Sequence, residues 1–558
     1  MRPVLNLMFV FGLATFGSGQ AFAASVKLIS EKPATPPDGL LAQYPAVVTH
    51  THNWRFSTGD PRSDFEETEK KLVDWCARLG IRALGVGSPW DPATDAMYQR
   101  YEGPDRDLYY SGKFDPKSVM QTEHIQGILA YLNRLSGGKT YFYLDNETPK
   151  GRMSHVWWFG YSYDYPAWHD YSQDRPIRFY RDDPSVEINK LTGEPHTRRN
   201  LFEIMAAQRK AGALGVFAHP TRWWLSQDRF ITNIAAMSAL FLLVDGYLDG
   251  LTVMGDRPYN KGYQDLWIHF LDTGAKVPGF AETDFALNKV STRTSEGTFR
   301  NYLHLKNSPI TAEHIRDTAR TGDLFASNGA FLAISVDGAP MGSACATAEG
   351  KVHRLRIEAY PQTGSRFSRI EAIGKHGERL ATKSDFPGGV LEYEIPGSSE
   401  PGYVLVRAFG PGDDPDRAPD EVKSVAISNP VYLHPQGFHI EPAKTSCTLR
   451  VPAKSRWIGG EIEFEQADGR PIERRTVPAG TIRIELPANA RILLRKRGEK
   501  DWMFYIAMEN RRVQELLSYL IDGEFRKDYP NLHRDVVPPQ AFRLPELWNA
   551  LATFDYEI

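Results

Sequence analysis

Cysteine is scarce in this 558-residue chain: Cys76, Cys345 and Cys447 are the full set. Three widely spaced cysteines without a CxxC pair exclude a disulfide framework and a zinc ribbon, while one bridge stays open in an oxidising compartment. A long block of like charge is missing too, and the formal net charge of −3 is close to neutral for this length. No nucleic-acid partner is therefore expected. The chain has no internal repeat and no low-complexity tract. Beyond the N-terminus, no stretch is apolar enough to span a bilayer.

The N-terminus itself is apolar. Met1-Arg2 gives a basic start, and Val4 to Phe16 is interrupted only by Asn6, Gly12 and Thr15. Ala21-Phe22-Ala23 then supplies small residues where a signal peptidase cuts. Residues 1–23 are expected to be a removable signal peptide, with an uncleaved anchor as the alternative. The mature protein is then exported, periplasmic or extracellular, with no membrane span after signal removal.

This length calls for about two to four domains. Residues 24–44 carry Pro33, Pro36, Pro37 and Gly39 and read as a lead-in segment. Strand and helix patterns alternate over residues 45–325, as in an α/β barrel or an open parallel sheet. Ser63-Asp64-Phe65-Glu66 opens a helix ending near Gly80, and strands are expected at residues 81–86, 140–144, 214–218, 248–254 and 277–281. Residues 201–211 and 264–272 read as helices, as does the stretch from Ala312 to Arg320. Over residues 326–435 the strand-like runs 331–336, 352–359, 390–395 and 403–409, separated by turn residues, indicate a β-sandwich. Residues 436–558 form a second β-rich part with a C-terminal helical segment over 512–521.

Histidines and carboxylates fall at strand ends in the first of these regions. His50 and His52, two apart, share one face of a strand, so both imidazoles can reach one ion. Glu147 follows Tyr141 to Leu144, and His155 lies eight residues beyond it. His219 ends the run Leu214 to Ala218 and precedes Pro220, and Asp284 follows Val277 to Ala281. Imidazole with carboxylate suits zinc, manganese or iron. Each residue also has a plain structural reading: His219 can close a strand through a backbone hydrogen bond, Asp284 can cap a helix, and Glu147 can sit in a solvated turn. The ordered set carries more weight than any member.

In that order, Thr49-His50-Thr51-His52, Glu147 to His155, Ala218-His219-Pro220 and Glu282-Thr283-Asp284 resemble a PHP (polymerase and histidinol phosphatase) domain of the CehA/McbA, carbaryl-hydrolase-like branch. The helix opened by Ile310-Thr311-Ala312-Glu313, the segment Thr321 to Gly329, Val336-Asp337-Gly338 and Ser428-Asn429-Pro430 resemble that branch's tail and appended sandwich. The likeness covers about residues 45 to 435. It implies a distorted (β/α)7 barrel, α/β in class, followed by β-sandwich-type domains. It also implies a divalent-metal site of two ions (Zn, Mn or Fe). His50, His52, Glu147 and Asp284 would hold one ion, and Glu147 would bridge to a second held by His155 and His219. Gly87-Ser88-Pro89 and Asp284-Phe285-Ala286 lack the family's histidines for a third position.

Such a site activates water against a phosphoester, carbamate, ester or amide bond. Glu147 and Asp284 are the candidate catalytic carboxylates. Arg222 either assists an anionic substrate or stacks on Trp223 or Trp224. Trp157, Trp158, Phe159, Tyr161, Tyr163, Tyr165, Trp168 and Tyr171 follow His155 and either form a loop that stacks a small-molecule or glycan substrate or pack against one another. Two alternatives stand beside the hydrolase: a catalytically impaired PHP-like glycan- or small-molecule-binding protein, and an amidohydrolase-type barrel enzyme.

Overall fold

The computed structural model describes residues 26–52, 61–87, 122–151, 154–160, 212–218, 248–286, 299–438, 444–505 and 554–557, apart from positions 256, 273, 284, 307 and 363 and the stretches 467–470, 488–489 and 499–502. The expected signal peptide and the helices expected over 201–211 and 512–521 lie outside these residues. Among the described residues, no helix is long and apolar enough to cross a membrane, and Cys76, Cys345 and Cys447 are unbridged.

The expected (β/α)7 barrel is not the architecture. Strands dominate: twenty-nine strands stand against five α-helices among the described residues. Ala46–Val48, Ile81–Gly87 and Tyr141–Gly151 run parallel to one another, as do Leu214–Phe217, Gly250–Met254 and Gly279–Ala281. Between the two sets Ser154–Phe159 pairs antiparallel on both sides. Beyond Ala46–Val48 the sheet passes through the antiparallel strands Arg300–Leu303 and Leu324–Ser327 into the strands of the β-sandwich. The result is one 15-stranded sheet. A short helix-strand repeat seen in sequence cannot reveal that its strands continue into a neighbouring layer.

The sandwich pairs this sheet's far end with a five-stranded antiparallel sheet in the order Lys27–Pro33, Gly389–Pro396, Val352–Tyr360, Phe331–Val336, Ala339–Pro340. The lead-in segment thus contributes an edge strand. Alternation drives the packing: Leu355, Ile357 and Ala359 are buried on one face of their strand, and Leu391, Tyr393 and Ile395 on theirs. Asp337 and Gly338, both at positive φ, make the tight turn after Phe331–Val336. Helix Ala312–Thr321 begins where the Thr311 side chain accepts from the His314 N–H and ends at Gly322 in the left-handed region. Farther on, Gly480–Pro487, Lys444–Val451 and Phe554–Glu557 form one small sheet, and Pro471–Thr476, Glu461–Glu465, Arg491–Arg495 and Met503–Tyr505 another.

Two buried polar arrangements join the parallel strands to the sandwich. Along Gly279–Ala281 one edge pairs with Gly250–Met254. On the other edge, side chains replace a backbone partner. The Val277 N–H donates to the Tyr432 hydroxyl at 3.0 Å, the Gly279 N–H to Asn429 Oδ1 at 2.7 Å, and the Ala281 N–H to Asn301 Oδ1 at 2.8 Å. Asn429 Nδ2 returns bonds to the Gly279 and Leu324 carbonyls, and Asn301 Nδ2 to the Ala281 carbonyl. The second arrangement centres on Glu371, 1 % exposed and flanked by Arg407, Arg379 and Arg369 at 2.9, 2.9 and 3.3 Å. Arg407 Nη1 also donates to Tyr259 and to Gln264 of helix Lys261–Asp272.

Asn429→Ala should cost about 2–4 kcal/mol in chemical denaturation, because the Gly279 amide and carbonyl lose their partner in a buried place. Asn429→Asp should cost a similar amount, since a carboxylate oxygen would then face two carbonyls. Unchanged stability in both would show that the edge does not need this residue. Glu371→Ala should cost about 3 kcal/mol by the same measurement, near the low end for breaking a buried ion pair. Arg369 and Arg379 soften the loss because each retains Asp416.

Candidate functional site

Parallel pairing sets the geometry of the region. Ala46–Val48, Tyr141–Gly151, Leu214–Phe217 and Gly279–Ala281 all run in one direction, so their C-terminal ends share one edge of the sheet. His50 follows the first of these strands, Glu147 lies in the C-terminal half of the second, and the other two end shortly before positions 219 and 284. His219, Arg222 and Asp284 lie outside the described residues. Of Glu147, His155 and His52 only the backbone is described. Glu147 pairs with Trp157, and His155 with Lys150. Thr51–His52 forms a two-residue parallel ladder with Phe285–Ala286, which sets His52 beside Ala286. The Thr283 N–H donates to the Thr49 carbonyl at 3.3 Å. The residues on both sides of position 284 are thereby tied to the His50 segment.

His50 is the one expected ligand with a described side chain. It is 1 % exposed and takes a left-handed backbone, φ 59°. That conformation is uncommon for a residue with a Cβ and is held here by neighbours on every side. The His50 N–H donates to the Asp145 carboxylate. Thr49 and Thr51 anchor the flanks through hydroxyl bonds to the Ala281 and Gly85 carbonyls, at 3.0 and 2.7 Å. The ring's Nδ1 lies 3.0 Å from Glu282 Oε2, which also accepts from the Thr252 hydroxyl at 3.0 Å. One carboxylate oxygen of Glu282 thus faces both the Thr252 hydroxyl and the His50 ring, and it sets the direction in which the imidazole points. Carboxylates hold metal-ligating histidines in this way.

Two glycines make room for these carboxylates. A Cβ on Gly85 would stand 2.4 Å from Asp145 Oδ2, and one on Gly255 would stand 2.7 Å from Glu282 Cγ. Asp145 and Glu282 are functional candidates that reading the sequence for ligands passes over. Each lies two residues before an expected one, Glu147 or Asp284, and so on the same strand face where the strand is regular. Their signal is a carboxylate at the end of an apolar strand run.

The aromatic segment divides. Trp157, Trp158 and Phe159 belong to strand Ser154–Phe159 and are fully buried. They pack the interior rather than forming a substrate loop: Trp157 stacks on Phe159 at 4.9 Å and meets Phe280 edge-on at 5.8 Å. Tyr161 and the aromatics after it lie outside the described residues. Trp157 also lies 6.2 Å from the His50 ring, and its buried indole N–H has no acceptor among the described residues.

No protein-family model matches the chain, and no curated protein matches it. Among solved structures, BcpA, the major pilin subunit of Bacillus cereus, is similar at 11% identity and a TM-score of 0.13, over 33% of this chain and 69% of that one. The BSP domain of a biofilm associated protein is similar at 13% identity and a TM-score of 0.13, over 32% of this chain and 29% of that one. Scores this low carry no argument about fold or function.

Glu282→Gln tests the arrangement around His50. Spectra of 15N-histidine-labelled protein should show the Nδ1–H tautomer for His50, with that preference lost in the variant. The same tautomer in both would rule out Glu282 as the group that orients the ring. Gly255→Ala should destabilise the fold by about 1–3 kcal/mol through overpacking against Glu282.

Proposed function

We propose that this chain is an exported, metal-dependent hydrolase acting on a phosphoester, carbamate, ester or amide bond of a small molecule. The observation that carries the reading is His50, a buried imidazole fixed through Nδ1 by Glu282 beside the shared ends of the parallel strands. An imidazole this constrained has lost its rotational freedom, and its ring is committed to one direction. That arrangement suits a ligand, because orienting the ring beforehand removes the entropy cost of ordering it on binding. The orphaned Trp157 N–H beside it adds a donor suited to an acceptor at the same place.

In this reading His50, His52, Glu147 and Asp284 hold one divalent ion, and Glu147 reaches a second together with His155 and His219. Two such ions supply an acidified water at neutral pH and offset negative charge developing on a phosphoryl or carbonyl oxygen. Asp145 and Glu282 orient the His50 segment and ring, and Arg222 attracts an anionic substrate. The apolar run from Val4 to Phe16 followed by Ala21-Phe22-Ala23 supports export to the periplasm or the outside of the cell.

Two measurements test this. Elemental analysis of purified protein should show His50→Ala carrying at least one ion per chain fewer than the parent, and equal contents would defeat the proposal. Turnover on a panel of phosphate esters and carbamates should be metal-dependent and fall by about a thousandfold or more in Glu147→Ala, on the scale of removing a principal electrostatic element of a site. Turnover unaffected by that change would remove Glu147 from the site.

A further inference from the structure

At one end of the sandwich, Asp337, Cys345 and His353 converge from three elements. Asp337 is in the tight turn after Phe331–Val336, Cys345 is on Ala344–Thr347, and His353 is on Val352–Tyr360. The first and third belong to the five-stranded sheet, and the second to the sheet facing it. His353 Nδ1 lies 2.8 Å from Asp337 Oδ2, and Cys345 Sγ lies 3.6 Å from that oxygen and 3.9 Å from that nitrogen. We propose that these three side chains are a zinc site, with the fourth position open to solvent.

The argument is first one of direction. In a thiol–imidazole–carboxylate relay for nucleophilic catalysis, thiol and carboxylate occupy opposite ring nitrogens. Here both approach Nδ1, which suits a shared ion and not a proton relay. The second argument is size. A point equidistant from the three atoms lies about 2.0 Å from each, and zinc bonds run about 2.0–2.2 Å to nitrogen and oxygen and about 2.3 Å to sulfur. A small displacement from their plane lengthens all three and turns the ion toward a fourth ligand.

The surroundings are those of oriented ligands. His353 is fully buried, and its Nε2 lies 3.0 Å from the Thr347 hydroxyl, which accepts from the Ser398 N–H at 3.1 Å. The Arg354 N–H holds Asp337 Oδ1 at 2.8 Å. Lys351, 3.7 Å from Asp337 Oδ2, also donates to the Ala346 carbonyl, so it has an anchor when it gives way. Binding one ion releases the Cys345 thiol proton to solvent and moves the imidazole proton from Nδ1 to Nε2, where it is donated to Thr347. Asp337 and Cys345 remain partly exposed, so the ion can enter and water can take the fourth place.

Cobalt is the probe. Titrating metal-stripped full-length protein with Co2+ should produce a saturable thiolate-to-cobalt charge-transfer band that is bleached by added Zn2+. Cys345→Ser should abolish the band while keeping a parental circular dichroism spectrum, and Thr347→Val should weaken cobalt binding by about 10–100-fold. His50→Ala, Cys76→Ser and Cys447→Ser should leave the band unchanged, which separates this site from the one proposed at the strand ends. No band in the parent with excess Co2+, or a band that persists in Cys345→Ser, overturns the proposal.

Discussion

A β-strand with one backbone neighbour turns every second amide away from its partner, and along residues 277–281 those amides point into the protein. Tyr432, Asn429 and Asn301 satisfy them in turn at a two-residue period. Each such amide left bare would cost about 1–3 kcal/mol. The consequence reaches His50. Asn301 Nδ2 also lies 3.3 Å from the Thr49 hydroxyl, which itself donates to the Ala281 carbonyl. One asparagine therefore fixes the last parallel strand and the residue before His50 together. An amide side chain suits this task because it offers a donor and an acceptor at the spacing of a peptide group.

The region near His50 is crowded with polar groups in a dry setting, and the crowding is managed by removing side chains elsewhere. Gly85 and Gly255 give up a methyl group each so that Asp145 and Glu282 can approach. The sandwich end differs. Its core is mostly apolar alternation, and two of its polar clusters are Glu371 with its three arginines and buried His353 with the more exposed Asp337. Arg407 carries the first across to helix Lys261–Asp272.

Local chemistry was readable in the sequence and long-range pairing was not. Thr311 and Gly322 bound a helix as their residue types require, and the strands at 331–336, 352–360 and 402–409 fall on the strand-like runs between turn residues. The helix expected from Ser63 begins earlier, at Pro61, a residue well suited to a first helical turn. The run from His155 to Phe159 has a strand's composition, yet its place after a candidate ligand favoured a loop; burial of Trp157 and Trp158 decides for a strand. The barrel expectation failed for a different reason. Sheet order and closure depend on which edges meet, and nothing local records that Arg300–Leu303 lies antiparallel to Ala46–Val48. At the site, the two-residue spacing of His50 and His52 is a signal the sequence carries by itself. The roles of Asp145 and Glu282 are not legible there, because they depend on Gly85 and Gly255 on other strands or turns.

The side-chain closure of the last parallel strand also has a timetable. Asn429 is 150 residues beyond Gly279, and Tyr432 is 155 beyond Val277. At translation rates of about 5–20 residues per second, that edge is made roughly 8–30 s before the groups that cover it. Through that interval a row of strand amides stands uncovered, the feature that invites pairing with another chain. The N-terminal half is thus a poor candidate for independent life, and the sandwich works as the tardy lid on an edge its own chain exposed earlier.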